Sequence, residues 1–207
     1  MYSKNIETTN DIETHENIRD GTDDSAETKE AGNDAADLPA MSDTERIEYI
    51  REIISNSDIS DTKKWEALTS EQRIEALRVL GSEIAKVMGI GNAKIVFRSD
   101  LPKNVYGIYN HINGEVHIKR SLVNDAGQRL NALDTLCHEY RHAFQYAAIQ
   151  NPEKYGIPPD LADKWRSNLP PYGIYLSAEK YGIDAYCKQP VERDAKEWEE
   201  KCRGDLT

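Results

Sequence analysis

The chain has 207 residues, enough for one ordinary domain with an appendage, and a formal net charge of −11. An acidic balance of this size argues against nucleic acid or an anionic membrane as partner, and no apolar run approaches the ~20 residues a bilayer-spanning helix needs. Met1-Tyr2-Ser3-Lys4 lacks the apolar stretch of a secretory signal, and Cys137, Cys187 and Cys202 include no CxxC pair, so the expectation is cytoplasmic synthesis with free thiols. Export by a route that needs no cleaved signal stays open.

The charge is uneven. Residues 1–40 hold three basic side chains (Lys4, Arg19, Lys29) against eleven acidic ones, with Tyr2 as their one aromatic residue. Ile6, Ile12, Ile18 and Leu38 are too thinly spread to bury the apolar surface that would offset the entropy of ordering. A disordered acidic tail is therefore expected over 1–41, followed by a globular domain over 42–207.

Two leading helices are predicted within 42–89. Ser42-Asp43-Thr44-Glu45 reads as a capping box ahead of Ile47, Ile50, Ile53 and Ile54, which share one face of a helix ending near Ser55. Thr69-Ser70-Glu71-Gln72 opens a second helix whose stripe is Ile74, Leu77, Leu80, Ile84, Val87 and Met88, with Gly89 as its stop. Trp65 and Leu68 lie in a short stretch between the two, with room for a further helical turn.

The pattern then alternates. Ala93–Arg98 is a strand candidate, and Val105–His111 and Glu115–Lys119 flank Asn113-Gly114, a hairpin signal. In the second arm Val116 and Ile118 share one face; Glu115, His117 and Lys119 share the other, which places His117 toward solvent. A long helix over about 124–150 follows. Pro152, Pro158-Pro159 and Pro170-Pro171 break the next section into short pieces, with a helix possible over Leu161–Asn168. Pro190 fits the first turn of a last helix, Val191 to about Cys202.

The long helix carries His138-Glu139-Tyr140-Arg141-His142. In HExxH the two imidazoles lie one turn apart on one face, spaced to hold zinc, and the glutamate beside them can take a proton from a metal-bound water. At about 100° per residue from His138, His142 falls near 40°, Gln145 near 340° and Asp134 near 320°. Leu133, Leu136, Cys137, Tyr140, Ala143, Phe144 and Ala147 fall opposite, between roughly 140° and 260°. The histidines thus face a polar cleft, with a core behind them.

Zinc needs a third protein ligand. Gln145 and Ala148 occupy the positions where an HExxHxxGxxH extension would supply it. His15, His111 and His117 have no local companion. Glu192, in Pro190-Val191-Glu192-Arg193-Asp194-Ala195, is the best candidate, since Ala195 beside it permits close docking; Asp194 and Asp184 are the alternatives.

On these residues the chain resembles the gluzincin branch of the zincin metallopeptidases, over roughly residues 90–203. Strands precede the HExxH helix, and an acid about fifty positions later lies on a second helix, as in small peptidase domains of bacterial toxin and phage-related systems. The resemblance implies an α+β, zincin-like fold. In it a sheet of about three strands, antiparallel or mixed, packs on the HExxH helix between flanking N- and C-terminal helices. It implies a peptidase whose Zn2+ is held by His138, His142 and Glu192, with Glu139 as general base and a protein or peptide as substrate. It implies a substrate extended along the sheet edge, assigned to Glu115–Lys119, and an acid behind one histidine, with Asp134 first and Asp194 next. An oxyanion donor is also implied, for which Tyr175, Tyr181 and Tyr186 are unranked candidates. Cys187 reads as a buried small side chain rather than an inhibitory thiol. Two other readings stay open: a metal-containing protein-binding or regulatory module of the same fold, and a degenerate site without metal.

Overall fold

The computed structural model describes residues 41–91 and 93–207. The disordered tail expected over 1–41 lies outside the described residues except for Met41.

Helix α1 (Asp43–Ser55) starts where the capping box puts it. Glu45 N–H donates to Ser42 Oγ at 3.3 Å and Ser42 N–H to Glu45 Oε2 at 2.7 Å. A short helix α2 (Thr62–Ala67) supplies the buried Trp65, and Leu68 follows as its cap. Helix α3 (Ser70–Met88) is capped by Thr69 and Gln72 and stops at Gly89, whose φ of 65° is left-handed. Its stripe of Ile74, Leu77, Leu80, Ile84 and Met88 is buried, each side chain contributing about 1.5–3 kcal/mol of transfer free energy.

Three strands follow: β1 (Lys94–Arg98), β2 (Gly107–Asn110) and β3 (Glu115–Lys119). They form one mixed sheet in the order β1-β3-β2, with β1 parallel and β2 antiparallel to β3. The β2–β3 connection has four residues and closes with Gly114 N–H donating to Asn110 O at 2.9 Å, Gly114 taking φ +67°. This order corrects two expectations. Glu115–Lys119 is the central strand, paired on both sides, and so not an edge; β1 and β2 are the edges. His117 is buried rather than solvent-facing, at 8% exposure. Alternation within one strand cannot show which strands lie to either side. Here Val96 and Ile108 flank His117 in register, and its ring turns back to Glu115 Oε2 at 3.0 Å.

The motif helix begins later than expected. A one-turn helix α4 (Ser121–Asn124) and a 3-10 turn come first, the turn held by Asp125 Oδ1 accepting from Gly127 N–H at 2.9 Å. Helix α5 then runs Arg129–Gln150, about 33 Å at 1.5 Å per residue. Leu133, Leu136, Cys137, Tyr140, Ala143 and Phe144 bury its apolar face as the wheel requires, with Ala147 half-buried. Short helices α6 (Pro152–Tyr155), α7 (Pro159–Arg166), α8 (Ala178–Tyr181) and α9 (Ile183–Cys187) follow. Helix α10 (Pro190–Arg203) has proline in its first turn and packs on α5 through Val191, Ala195, Trp198 and Cys202, all buried. The fold is therefore α+β, with a three-stranded mixed sheet and flanking helices around the long HExxH helix. Among the described residues no helix is long and apolar enough to cross a membrane. All three cysteines are free, but Cys187 is exposed on α9 and not buried as expected.

Candidate metal centre

One turn of α5 sets the His138 and His142 rings 4.8 Å apart at 81°, with their Nε2 atoms 3.1 Å from each other. Helix α10 enters from the side. Because Ala195 lets it close on α5, Glu192 near its start places Oε2 3.4 Å from His138 Nε2 and Oε1 3.3 Å from His142 Nε2. The structure thus brings together the three residues singled out as ligands. Asp184 and Asp194 are not part of the group.

The proton inventory says what this group can hold. His138 Nδ1 lies 2.8 Å from Glu199 Oε2, a carboxylate that only accepts, so Nδ1 carries the hydrogen and the neutral ring presents a bare Nε2. His142 Nδ1 lies 2.8 Å from Gln145 Oε1. The amide nitrogen of Gln145 donates to Val191 O at 3.0 Å and to Asp194 Oδ2 at 2.7 Å, which fixes its oxygen as acceptor. His142 Nε2 is bare by the same reasoning. Glu192 Oε2 is buried with no hydrogen-bond partner. Three lone-pair donors therefore converge, two of them on buried residues and one on the partly exposed His138, an arrangement a cation satisfies. Ligands at about 2.0–2.1 Å in a tetrahedron lie about 3.3 Å from one another. The imidazole nitrogens lie 3.1 Å apart and each lies 3.3–3.4 Å from a different oxygen of the Glu192 carboxylate, separations close to that spacing, so the residues can hold a metal ion.

Proton affinities reflect the same crowding. Burial pushes the His138 pKa down, but the Glu192 and Glu199 carboxylates outweigh it and raise it to about 10, so without a metal the ring holds an Nε2 proton at neutral pH that a bound cation would displace. Burial acts to raise the Glu192 pKa, and the two histidines reverse this, holding it well below the carboxylate range. Glu139 is raised: burial dominates, opposed by His138 and His142 and reinforced by Glu192.

Glu139 is held against β2. Its carboxylate faces the Tyr109 backbone N–H. A Cβ at Gly107 would lie 2.7 Å from Glu139 Oε1 and 2.6 Å from Thr135 Cγ2. Glycine at this point of the strand is what allows the sheet to approach the helix so closely. Tyr175 donates to Glu192 Oε1 at 2.6 Å, and Tyr186 lies edge-on to Tyr175 at 6.1 Å. Tyr181 is exposed and makes no such contact with Glu192.

The acid expected behind a histidine is neither Asp134 nor Asp194. Asp134 pairs with Arg203, and Asp194 pairs with Arg141 and Gln145. Glu199 does that work for His138 and Gln145 for His142. Both signals were present: Glu199 is seven residues after Glu192 on one helical face, and Gln145 lies in the polar stripe of α5. Arg141, inside the motif and 1% exposed, carried no assignment. Its guanidinium binds Asp194 at 2.7 and 3.0 Å and Asp43 at 2.6 and 3.1 Å, and it lies 4.4 Å from the Trp198 ring centroid. It ties α5 to α10 and to the first turn of α1, and through Asp194 it steadies Gln145.

No family model, curated protein or solved structure matches this chain.

Proposed function

We propose that the chain is a zinc-dependent peptidase of the zincin type, with the gluzincin ligand pattern. His138, His142 and Glu192 would hold the metal, and Glu139 would serve as general base. The observation that carries the reading is the convergence of three candidate ligands beside a buried carboxylate whose pKa is raised. When bound, zinc supplies Lewis-acid polarisation of the scissile carbonyl and acidifies a water.

The chain's own residues supply the rest. Glu139, fixed by β2, takes the proton of the attacking water and passes it to the leaving amine; its raised pKa favours the first of these transfers. Glu199 and Gln145 fix the two imidazoles in the tautomer that leaves Nε2 free. Tyr175, bonded to Glu192, orients that carboxylate; Tyr186 beside it is the candidate donor to the developing oxyanion. A peptide substrate lies extended along the free edge of β2, which offers backbone hydrogen bonds.

The test compares a proteome exposed to the protein with one exposed to the Glu139→Gln variant, scoring new peptide termini. The parent should generate termini that the zinc-loaded variant does not. A stable complex with a protein that is never cut would favour a metal-containing binding module instead.

A further inference from the structure

β2 and α5 run side by side past the candidate metal centre, and a cleft opens between them. Gly107 lies against Glu139. Two residues on, Tyr109 meets Tyr146 at 5.6 Å between ring centroids, and His111 stacks on the same ring at 4.8 Å and 3°. On α5, Ala143, Tyr146 and Gln150 follow Glu139 at helical spacing and continue its face. Ala143, Tyr146 and Gln150, with Tyr109, His111, Pro171 and Tyr172, line a cavity of about 670 Å³ that starts one helical turn beyond Glu139 and lies within the size range of small-ligand pockets. Tyr146 is about 10 Å beyond Glu139 along the helix. An extended peptide covers that distance in about three residues.

The lining mixes aromatic and polar side chains: Tyr109, Tyr146 and Tyr172 stand beside His111, Asn113 and Gln150. Aromatic faces wall the cleft, Ala143 and Ala147 leave room for a ring, and among the described residues no Asp, Glu, Lys or Arg lines it. The surface nearby agrees. Tyr106, Ile108 and Ile112, in and beside β2, and Tyr172, Ile174, Tyr181 and Ile183, between α7 and the start of α9, are exposed; away from these two segments only Tyr49 and Val79 are large, apolar and exposed among the described residues.

We propose that this cleft is a substrate subsite that accepts one aromatic side chain about three residues from the bond that is cut. The inference rests on the reading of the chain as a peptidase and names its substrate class: peptides or unfolded segments with an aromatic residue at that position. A charged side chain there would lose its hydration without gaining a partner.

The test uses fluorescein-labelled peptides of Ala, Ser and Gly in which a single Phe, Leu or Glu is moved through every position. Binding is read by anisotropy on the full-length, zinc-loaded Glu139→Gln protein, and cleavage by mass spectrometry on the parent. At one position Phe should bind on the order of tenfold tighter than Glu, and that position should lie about three residues from the bond the parent cuts. His111→Ala, at the exposed turn, and Tyr146→Ala should each erase the preference while zinc content is kept. An unchanged preference in both variants, or equal binding of Phe and Glu at every position, overturns the subsite. A His111-dependent preference without any cleavage by the parent supports the subsite and removes the hydrolysis.

Discussion

Replacing Gly107 by alanine puts a methyl carbon 2.7 Å from Oε1 and 2.8 Å from Cγ of Glu139, and 2.6 Å from Thr135 Cγ2. Ordinary contacts of this kind lie near 3.5 Å, so about 0.8 Å must be found by moving the strand, the helix or the Glu139 side chain. Overpacking of this sort costs about 1–3 kcal/mol of stability. The catalytic effect should be larger than the stability loss suggests, because a displacement near 1 Å of a reacting group can cost roughly a hundredfold in rate. None of the three candidate ligands is touched. The Gly107→Ala protein should therefore keep one zinc per chain, melt a few degrees lower and lose about two orders of magnitude in kcat/KM. Zinc by elemental analysis, a thermal melt and peptide hydrolysis measure the three quantities on one preparation. Parental kcat/KM would refute the claim that β2 positions Glu139, and loss of zinc would show that the strand supports the ligands instead.

Glu199→Gln and Gln145→Ala should each weaken zinc binding by roughly 10–100-fold in a chelator competition, because each releases one imidazole from its tautomer and orientation. Arg141→Met should destabilise the fold by about 1–3 kcal/mol, since Asp43 and Asp194 lose their shared partner but keep Arg46 and Gln145; chemical denaturation reads the loss. Asp43 gives a pH dependence. Burial acts to raise its pKa, but Arg141 and Arg46 lower it below the ordinary 3.8. With the folded value depressed, its contribution to stability is present above about pH 4 and is lost as pH falls through the folded value. Asp43→Asn should flatten the acid limb of the stability profile and change its slope little at neutral pH.

Much of the fold was legible because it is locally encoded. Capping boxes at Ser42 and Thr69, the stop at Gly89 and the proline at the head of α10 act within one helical turn, and their side chains do in the structure what their spacing announces. The candidate ligands were legible for a similar reason: two lie on one turn, and the third sits beside an alanine that allows close docking. Strand order was not legible. β1 reaches β3 across a non-local parallel pairing, and nothing within Glu115–Lys119 states that both its edges are taken; the errors over the sheet edge and His117 follow from that. Glu199 and Gln145 were missed because aspartates close in sequence drew attention, while Arg203 and Arg141 claim those aspartates across helices. Gly107 was a signal that went unread, since a glycine within a strand marks close approach of something else.

X-ray absorption at the zinc edge is the most direct measurement of the coordination sphere, made on the full chain and on Glu192→Ala. The parent should show one zinc per chain with two imidazole nitrogens and oxygen ligands near 2.0–2.1 Å and no sulfur, and the variant should lose either the metal or the carboxylate shell. Sulfur scattering at about 2.3 Å, a spectrum unchanged by Glu192→Ala, or a parent protein that binds no stoichiometric zinc would contradict the convergence of His138, His142 and Glu192 on a single ion.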